Sequence, residues 1–398
     1  MQVPAATEEP RKSRRTGLKA FVFVPLGVVL LLVLAELAAR ALRLGDPRYA
    51  IWGLPQESFG VSTPDPDLFW RPLPGYQGMG TGNVPLRINS HGLRGPEIAP
   101  KTPGEIRILS LGESTTYGAG VLETETYSAV IERRLDDPAS RPAGRRVSVV
   151  NAGVFVYSSF QSLKFLELRA PPLEPDVVLF YHEVNDYLPS TLRDSSNDEF
   201  GARMTDRQLY QSRAQLLHRV LMSHSALYRW IRYRRAEKDF RRIEGVRAEN
   251  PVTRIGLPEA VRIPSRVQEP TPSGGWATRA GDDVSIGQRV SEAEREQNLR
   301  DLDRLCRERG LALVVIHPSY RDSSRHECVL TRVCAELGVA TFDAFESLHP
   351  PGTAQDALFQ DSWHPKVEGH RRLGEGLARF LSERILPKLA ARQVASTR

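Results

Sequence analysis

The feature that most constrains the fold is a series of short apolar runs, beginning at Ile106, separated by stretches of helix length. The five runs are Ile106–Leu111, Val147–Asn151, Val177–Tyr181, Leu311–Ile316 and Val339–Phe342. Segments with helical period lie between and after them, most clearly Tyr127–Leu135, Ser291–Arg309 and Lys366–Leu381. Strands that alternate with helices form a parallel sheet covered on both faces. The pattern therefore predicts a doubly wound, three-layer α/β/α domain of about five parallel strands, with ligands bound at their carboxyl ends.

An apolar run near the N-terminus predicts a transmembrane helix ahead of this sheet. Residues 1–19 are basic, and residues 20–39 approach the ~20 residues that a helix needs to cross a bilayer. The excess of positive charge on the N-terminal side predicts a cytoplasmic N-terminus. A cleaved signal peptide and a buried core helix are the other interpretations. A membrane anchor and a signal peptide both imply that the following residues are exported. We expect a single-pass protein of the cytoplasmic (inner) membrane with its main domain on the periplasmic or extracellular side.

The rest of the chain divides around the predicted sheet. Residues 40–100 are rich in Pro and Gly and read as an extended lead-in, the sheet domain is expected over 101–386, and 387–398 form a tail. A long interruption at about 190–290 is basic and helix-like in its first half and rich in Pro and Gly in its second. Such a stretch is uncommon inside a compact domain. It is interpreted as a tolerated surface insertion, a cap over the substrate site, or a membrane- or partner-facing helix.

Polar residues with complementary chemistry follow the predicted strands. Ser114 directly follows the first strand and opens a helix, where free backbone N–H groups favour a nucleophile whose attack creates an oxyanion. Gly153 follows the second strand and Asn185 the third, so that a backbone N–H and a side-chain amide could donate to the same oxyanion. Near the C-terminus, the three-residue step from Asp361 to His364 lets the carboxylate orient the imidazole as a general base.

These four segments, in this order, resemble the sequence blocks of the SGNH/GDSL hydrolase (esterase) superfamily, and in particular its membrane-anchored bacterial members. The resemblance covers roughly Pro85 to Leu386, interrupted by the insertion. It implies a flavodoxin-like fold and the removal of acyl groups from esters, often O-acetyl groups on carbohydrates. It also implies that Ser114, His364 and Asp361 form the catalytic triad, and that Ser114, Gly153 and Asn185 form the oxyanion hole.

Two residues depart from the family pattern. Glu113 stands where the family usually has Asp, and Glu183 replaces a glycine, which places an extra carboxylate near the proposed oxyanion hole. Pointing inward, Glu183 would oppose developing negative charge or select a substrate; pointing outward, it would be inert. His370, six residues beyond His364, is expected to face solvent.

Composition restricts the choice of partners. The net charge of +6 comes mostly from scattered arginines, so nucleic acid is not expected to bind. Three cysteines fit neither a metal spacing nor a disulfide framework, and no cofactor or metal is implied. We expect an ester substrate, such as an acylated glycan of the cell envelope, with an envelope protein as a further partner. The alternatives are an O-acyltransferase that modifies an envelope polysaccharide and a non-catalytic glycan-binding domain.

Overall fold

The computed structural model describes most of the chain outside the termini and the predicted insertion. Residues 1–13 of the predicted basic N-terminus lie outside the described residues, as do part of the lead-in, most of the insertion and all but the first residues of the tail. The described ranges are residues 14–45, 62–139, 141–187, 204–235, 269–270, 276–277, 288–322 and 328–389.

The described strands and helices alternate from residue 106 onward, as the sequence predicts. In chain order the strands are β1 Ser62–Asp65, β2 Phe69–Pro72, β3 Gln77–Met79, β4 Pro85–Arg87, β5 Ile106–Gly112, β6 Val147–Gly153, β7 Val177–Tyr181, β8 Glu269–Pro270, β9 Trp276–Ala277, β10 Ala312–His317 and β11 Ala340–Asp343. The α-helices are α1 Arg14–Ala41, α2 Ser114–Tyr117, α3 Tyr127–Leu135, α4 Ser159–Leu168, α5 Val184–Tyr187, α6 Asp206–Gln211, α7 Arg213–His224, α8 226–235, α9 Glu292–Glu308, α10 Val329–Leu337, α11 Phe345–Leu348, α12 Gln355–Leu358 and α13 Val367–Phe380.

Five parallel strands form the central sheet, in the order β11-β10-β7-β5-β6. This is the flavodoxin-like order, so the expected fold class is confirmed. The chain reverses its direction of winding beside β5, which pairs with β6 on one side and β7 on the other. A crevice for ligands is expected at that switch point, outside the carboxyl ends of these strands.

Two apolar layers cover the sheet because alternate residues of each strand point to opposite faces. On one face, Leu109 and Leu111 of β5 pack in a cluster with residues of α4, α9 and α10. On the other face, Ile106 and Ile108 pack with residues of α3 and α13. Because a parallel sheet is buried on both faces, every residue of β5 is buried.

The lead-in packs against the sheet domain from residue 62 onward. Strands β1 and β2 form an antiparallel hairpin, and β3 and β4 form a second one. Leu68, Trp70 and Leu93 belong to the same apolar cluster as Leu109 and Leu111 of β5. The expectation of an extended segment therefore did not foresee that these residues contribute to the core.

Arg94 ties the lead-in to the turn that follows Ser114. Its buried guanidinium donates to the backbone carbonyls of Tyr117 at 2.9 Å and Val121 at 2.5 Å. The last carbonyls of a helix lack intrahelical partners, so this side chain stabilises the end of the short helix α2.

A buried ion pair holds the two ends of the insertion together. Arg289 Nη2 lies 2.8 Å from Asp206 Oδ2, and both side chains are fully buried. The backbone N–H of Asp206 donates to the carbonyl of Arg289 at 2.7 Å. Arg289 also donates to Gln161 Oε1 at 2.5 Å and lies over the ring of Trp70. Residues 206 and 289, on either side of the intervening chain, therefore lie side by side.

One segment of the described residues, Phe23–Ala41 within α1, is long and apolar enough to cross a membrane by length and composition. Its 19 residues have a mean hydropathy of 2.1, and only 6% of the window is buried. A signal sequence has the same properties.

Candidate active site

Ser114 lies at the carboxyl end of β5, on the first residue of α2. The turn between them is tight, because a Cβ at Gly112 would lie 1.9 Å from Thr116 Oγ1. Ser114 is buried, and its backbone N–H belongs to the first turn of the helix, where N–H groups lack intrahelical acceptors. The serine therefore occupies the crevice expected at the switch point of the sheet.

The structure brings Ser114, His364 and Asp361 into one hydrogen-bonded chain. Ser114 Oγ lies 2.8 Å from His364 Nε2, and His364 Nδ1 lies 2.7 Å from Asp361 Oδ2. The other carboxylate oxygen accepts from the backbone N–H of Trp363 and of His364. This is the nucleophile–base–orienting acid order of a hydrolase triad.

The electrostatics of Asp361 suit the orienting role. Partial burial opposes its ionisation, but the hydrogen bond and charge of His364, together with the two backbone N–H donors, outweigh that effect and lower the pKa of the Asp361 carboxyl. An ionised carboxylate at this position fixes the imidazole tautomer with its free nitrogen toward Ser114.

The segment that carries Asp361 and His364 is held at both ends. Phe359 and Pro365 form an isolated antiparallel bridge, which closes the segment into a loop. At its tip, the backbone N–H of Arg321 donates to the carbonyl of Ser362 at 3.2 Å. The Trp363 ring packs edge-on against Tyr320, with centroids 5.4 Å apart. The loop thus holds the imidazole of His364 in a defined position beside Ser114.

Gly153 differs from its expected role in one respect. Its backbone N–H donates to Asn151 Oδ1 at 3.0 Å instead of pointing unengaged into the crevice. Its Cα lies against α2, since an added Cβ would come within 2.2 Å of the Tyr117 nitrogen. The glycine is therefore required for close packing against α2. To donate to an oxyanion, its N–H would have to release Asn151 Oδ1 or be shared between the two acceptors.

Asn185 lies on α5, directly after β7, where the sequence predicts it. One hydrogen of its side-chain amide donates to the carbonyl of Tyr157 at 3.1 Å. An amide nitrogen carries two hydrogens, so one remains for an oxyanion. Its role as an oxyanion donor stays a prediction.

Glu113 connects the serine turn to the Asn185 turn, a link that sequence reasoning missed. The backbone N–H of Asn185 donates to Glu113 Oε2 at 3.4 Å, and the hydroxyl of Tyr320 donates to Oε1 at 3.3 Å. Tyr320 in turn accepts from the backbone N–H of Val184 at 3.2 Å. Burial, reinforced by the nearby Asp186 and Glu183 carboxylates, raises the pKa of Glu113 to about 8. The side chain therefore holds a proton at neutral pH.

Burial decides between the two interpretations of Glu183 and overturns the expectation for His370. Glu183 is buried, so the solvent-facing interpretation is wrong, and its carbonyl accepts from Arg295 at 2.8 Å. His370 is fully buried, because α13 packs on α3 and the imidazole accepts the backbone N–H of Tyr127 at 3.3 Å. Burial, together with the charges of Arg94 and His364, lowers the pKa of His370 to about 3.

No family model matches the chain, and no curated protein matches it. Solved structures that are similar to this chain include a protein of the G-D-S-L family from Desulfitobacterium hafniense DCB-2. It is 10% identical, with a TM-score of 0.36, and the match covers 69% of this chain and 98% of that one. The acetylxylan esterase Axe2 from Geobacillus stearothermophilus is 15% identical, with a TM-score of 0.37 and coverages of 69% and 93%. TesA is also 15% identical, with a TM-score of 0.36 and coverages of 69% and 97%.

The buried Glu113 predicts a pH-dependent loss of stability. Between the usual carboxyl pKa and about 8, the folded state keeps a proton that the unfolded state has released, so the free energy of unfolding falls as pH rises through this window. Glu113→Gln removes this loss, because the amide does not titrate and its oxygen can still accept from the backbone N–H of Asn185. We expect the Tm difference, variant minus wild type, to increase by about 5 °C or more from pH 5 to pH 8.

Thermal unfolding of the full chain across this pH range measures the effect. Glu308→Gln, at an exposed carboxyl on α9, serves as the control for simple loss of charge. A Tm difference between Glu113→Gln and wild type that stays constant with pH would contradict the assignment of a proton to Glu113.

Proposed function

We propose that this protein is an exported serine esterase that removes an acyl group from an envelope ester. The observation that carries the proposal is the chain from Ser114 Oγ through His364 to Asp361, with contacts of 2.8 and 2.7 Å. These contacts join three residues of complementary chemistry at the carboxyl ends of the central strands, where ligands of this fold class bind.

The reaction proceeds in two steps through an acyl-enzyme. His364 Nε2 takes the proton of Ser114 as its oxygen attacks the ester carbonyl carbon, forming a tetrahedral oxyanion. Collapse of that intermediate breaks the bond to the alcohol, which leaves with the proton from His364. Water then attacks the acyl-serine with His364 again as base, and Ser114 is regenerated as the acid departs.

The oxyanion is stabilised by donors that lie around Ser114 before substrate arrives. The backbone N–H of Ser114 is at the positive end of α2, and the second amide hydrogen of Asn185 supplies a side-chain donor. The backbone N–H of Gly153 becomes a third donor if it releases Asn151 Oδ1 and donates to the oxyanion instead. Fixed donors of this kind stabilise the transition state more than the substrate.

The substrate class follows from the resemblance to SGNH/GDSL hydrolases and from the apolar helix α1. That family often removes O-acetyl groups from carbohydrates, and α1 would hold the domain at the outer face of the cytoplasmic membrane. We therefore propose an O-acylated envelope glycan as the substrate, with a single-pass anchor at residues 20–39.

Replacement of the nucleophile tests the mechanism. Ser114→Ala is expected to lower kcat/KM for a short-chain nitrophenyl ester by at least about 10⁴-fold, because no other group can form the acyl-enzyme. Labelling by a fluorophosphonate is expected to disappear with it. Ser90→Ala, at an exposed serine outside the site, should retain both activity and labelling. Equal labelling of wild type and Ser114→Ala would place the nucleophile elsewhere.

Replacement of Asn185 tests the oxyanion donor. Asn185→Ala is expected to lower kcat by about 10²–10³-fold with little change in KM, because the donor acts on the transition state. Asn298→Ala is the matched control, because Asn298 is also a buried amide. Its side chain donates to Ser159 where α9 packs on α4, away from Ser114. We expect this control to lower Tm and to leave kcat unchanged. A rise in KM alone for Asn185→Ala would instead indicate a role in substrate binding.

Product analysis separates the esterase from an acyltransferase with the same triad. Wild-type protein is supplied with an acetyl ester donor and an unacetylated glycan acceptor. Release of free acetate in proportion to the donor consumed supports hydrolysis. Transfer of acetyl to the glycan would overturn the esterase proposal in favour of an O-acyltransferase.

A further inference from the structure

Helix α7 exposes a stripe of apolar residues and buries two polar residues on its opposite face. Leu216, Leu217 and Val220 lie on one face and are 47%, 63% and 37% exposed. The residues buried on the opposite face are Gln215, Arg219 and Met222. A surface helix of a water-soluble protein usually buries its apolar stripe and exposes its polar one. The exposed stripe therefore indicates an apolar partner outside the described residues of this domain.

The buried face of α7 is firmly attached, so the helix cannot roll to bury its leucines without breaking strong contacts. The Arg219 guanidinium donates to the carbonyls of Pro66, Leu209 and Tyr210 at 2.8, 2.6 and 3.0 Å. Its charge also lies over the ring of Phe69, 5.5 Å from the centroid. Leaving such a buried charge without partners is costly.

The C-terminal end of α1 lies against the junction of α7 and α8. The Glu36 carboxylate accepts from the hydroxyl of Ser225 and from the backbone N–H groups of Ala226 and Leu227, at 2.7, 2.9 and 3.1 Å. Glu36 thereby satisfies the first N–H groups of α8, as an N-cap residue would.

Two further contacts fix the same junction. Arg40 donates to the carbonyl of His224, the last residue of α7, at 2.5 Å. Arg229 of α8 donates to the carbonyl of Gly45 at 2.8 Å. The chain that leaves α1 is thus bound on both sides of the α7–α8 corner.

This arrangement determines what α7 faces. Glu36 and Arg40 lie inside the apolar segment Phe23–Ala41, so the α7–α8 corner touches the last turns of the proposed membrane span. Val220 is four residues before His224, about 6 Å along the helix, and Leu216 and Leu217 lie about one turn farther. The exposed stripe consequently begins beside the point where α1 leaves the bilayer.

The charges of the same region suit an anionic membrane surface. Residues 204–235 contain a single acidic residue, Asp206, and it is buried against Arg289. Exposed arginines lie at the edges of the stripe and of the α1 exit, at positions 40, 43 and 213. Basic residues beside an apolar helical face are typical of helices that lie in the lipid interface.

We propose that α7 is an interfacial membrane helix, whose exposed stripe of Leu216, Leu217 and Val220 inserts into the outer leaflet beside α1. The proposal rests on the membrane anchor proposed above and deepens it. Contact at α1 and at α7 together holds the domain at a fixed orientation, with α7 against the lipid.

Photo-cross-linking of the full-length chain tests the contact. Benzoylphenylalanine replaces Leu217 on α7, Leu30 in α1 or Arg379 on α13, an exposed site on the layer across the sheet. Each protein is reconstituted in vesicles of phosphatidylethanolamine and phosphatidylglycerol and irradiated, and adducts are identified by mass spectrometry. We expect lipid adducts from positions 30 and 217 and none above background from position 379.

Each other result overturns the proposal in a recognisable way. Lipid adducts at position 30 without any at 217 would keep the anchor and reject the interfacial helix. Adducts at position 217 to a second copy of the chain, or to another segment of the same chain, would make the stripe a protein interface. No lipid adduct at position 30 would reject the anchor itself, and the interfacial helix with it.

Discussion

The site depends on the position of β5 between β6 and β7 in a parallel sheet. Because β5 pairs with β6 and β7 along the same direction, the carboxyl ends of all three strands meet at one edge. Ser114, Gly153 and Asn185 follow these three ends and are therefore brought together by the backbone alone. Asp361 and His364 arrive separately, on a loop closed by its own bridge. The sheet thus positions three of the proposed site residues, and the loop positions the other two.

The features that could be predicted from the sequence are those with a local signal. Strand β7 and helix α3 have the predicted bounds, because apolar runs and helical periods depend on neighbouring residues. The Ser114–His364–Asp361 contacts could be anticipated because chain segments at strand ends converge in this fold class, and because a three-residue step brings Asp361 back onto His364.

The features that could not be predicted depend on contacts between distant segments. Nothing near Glu113 in sequence indicates that Tyr320 and the Asn185 turn enclose it, or that its carboxyl is kept neutral. The burial of His370 follows from packing between α13 and α3, which its own polarity does not reveal. Arg289 is one arginine among many in the sequence, yet its buried pairing with Asp206 joins two segments that are 83 residues apart.

His364 lies 250 positions after Ser114 in the chain, so it is synthesised later. At about 5–20 residues per second, the imidazole follows the serine by roughly 10–50 s of synthesis. Until then the nascent chain has Ser114 without His364, and α13, which covers one face of the sheet, is also missing. The Ser114–His364 contact can therefore form only after nearly the whole domain has been synthesised.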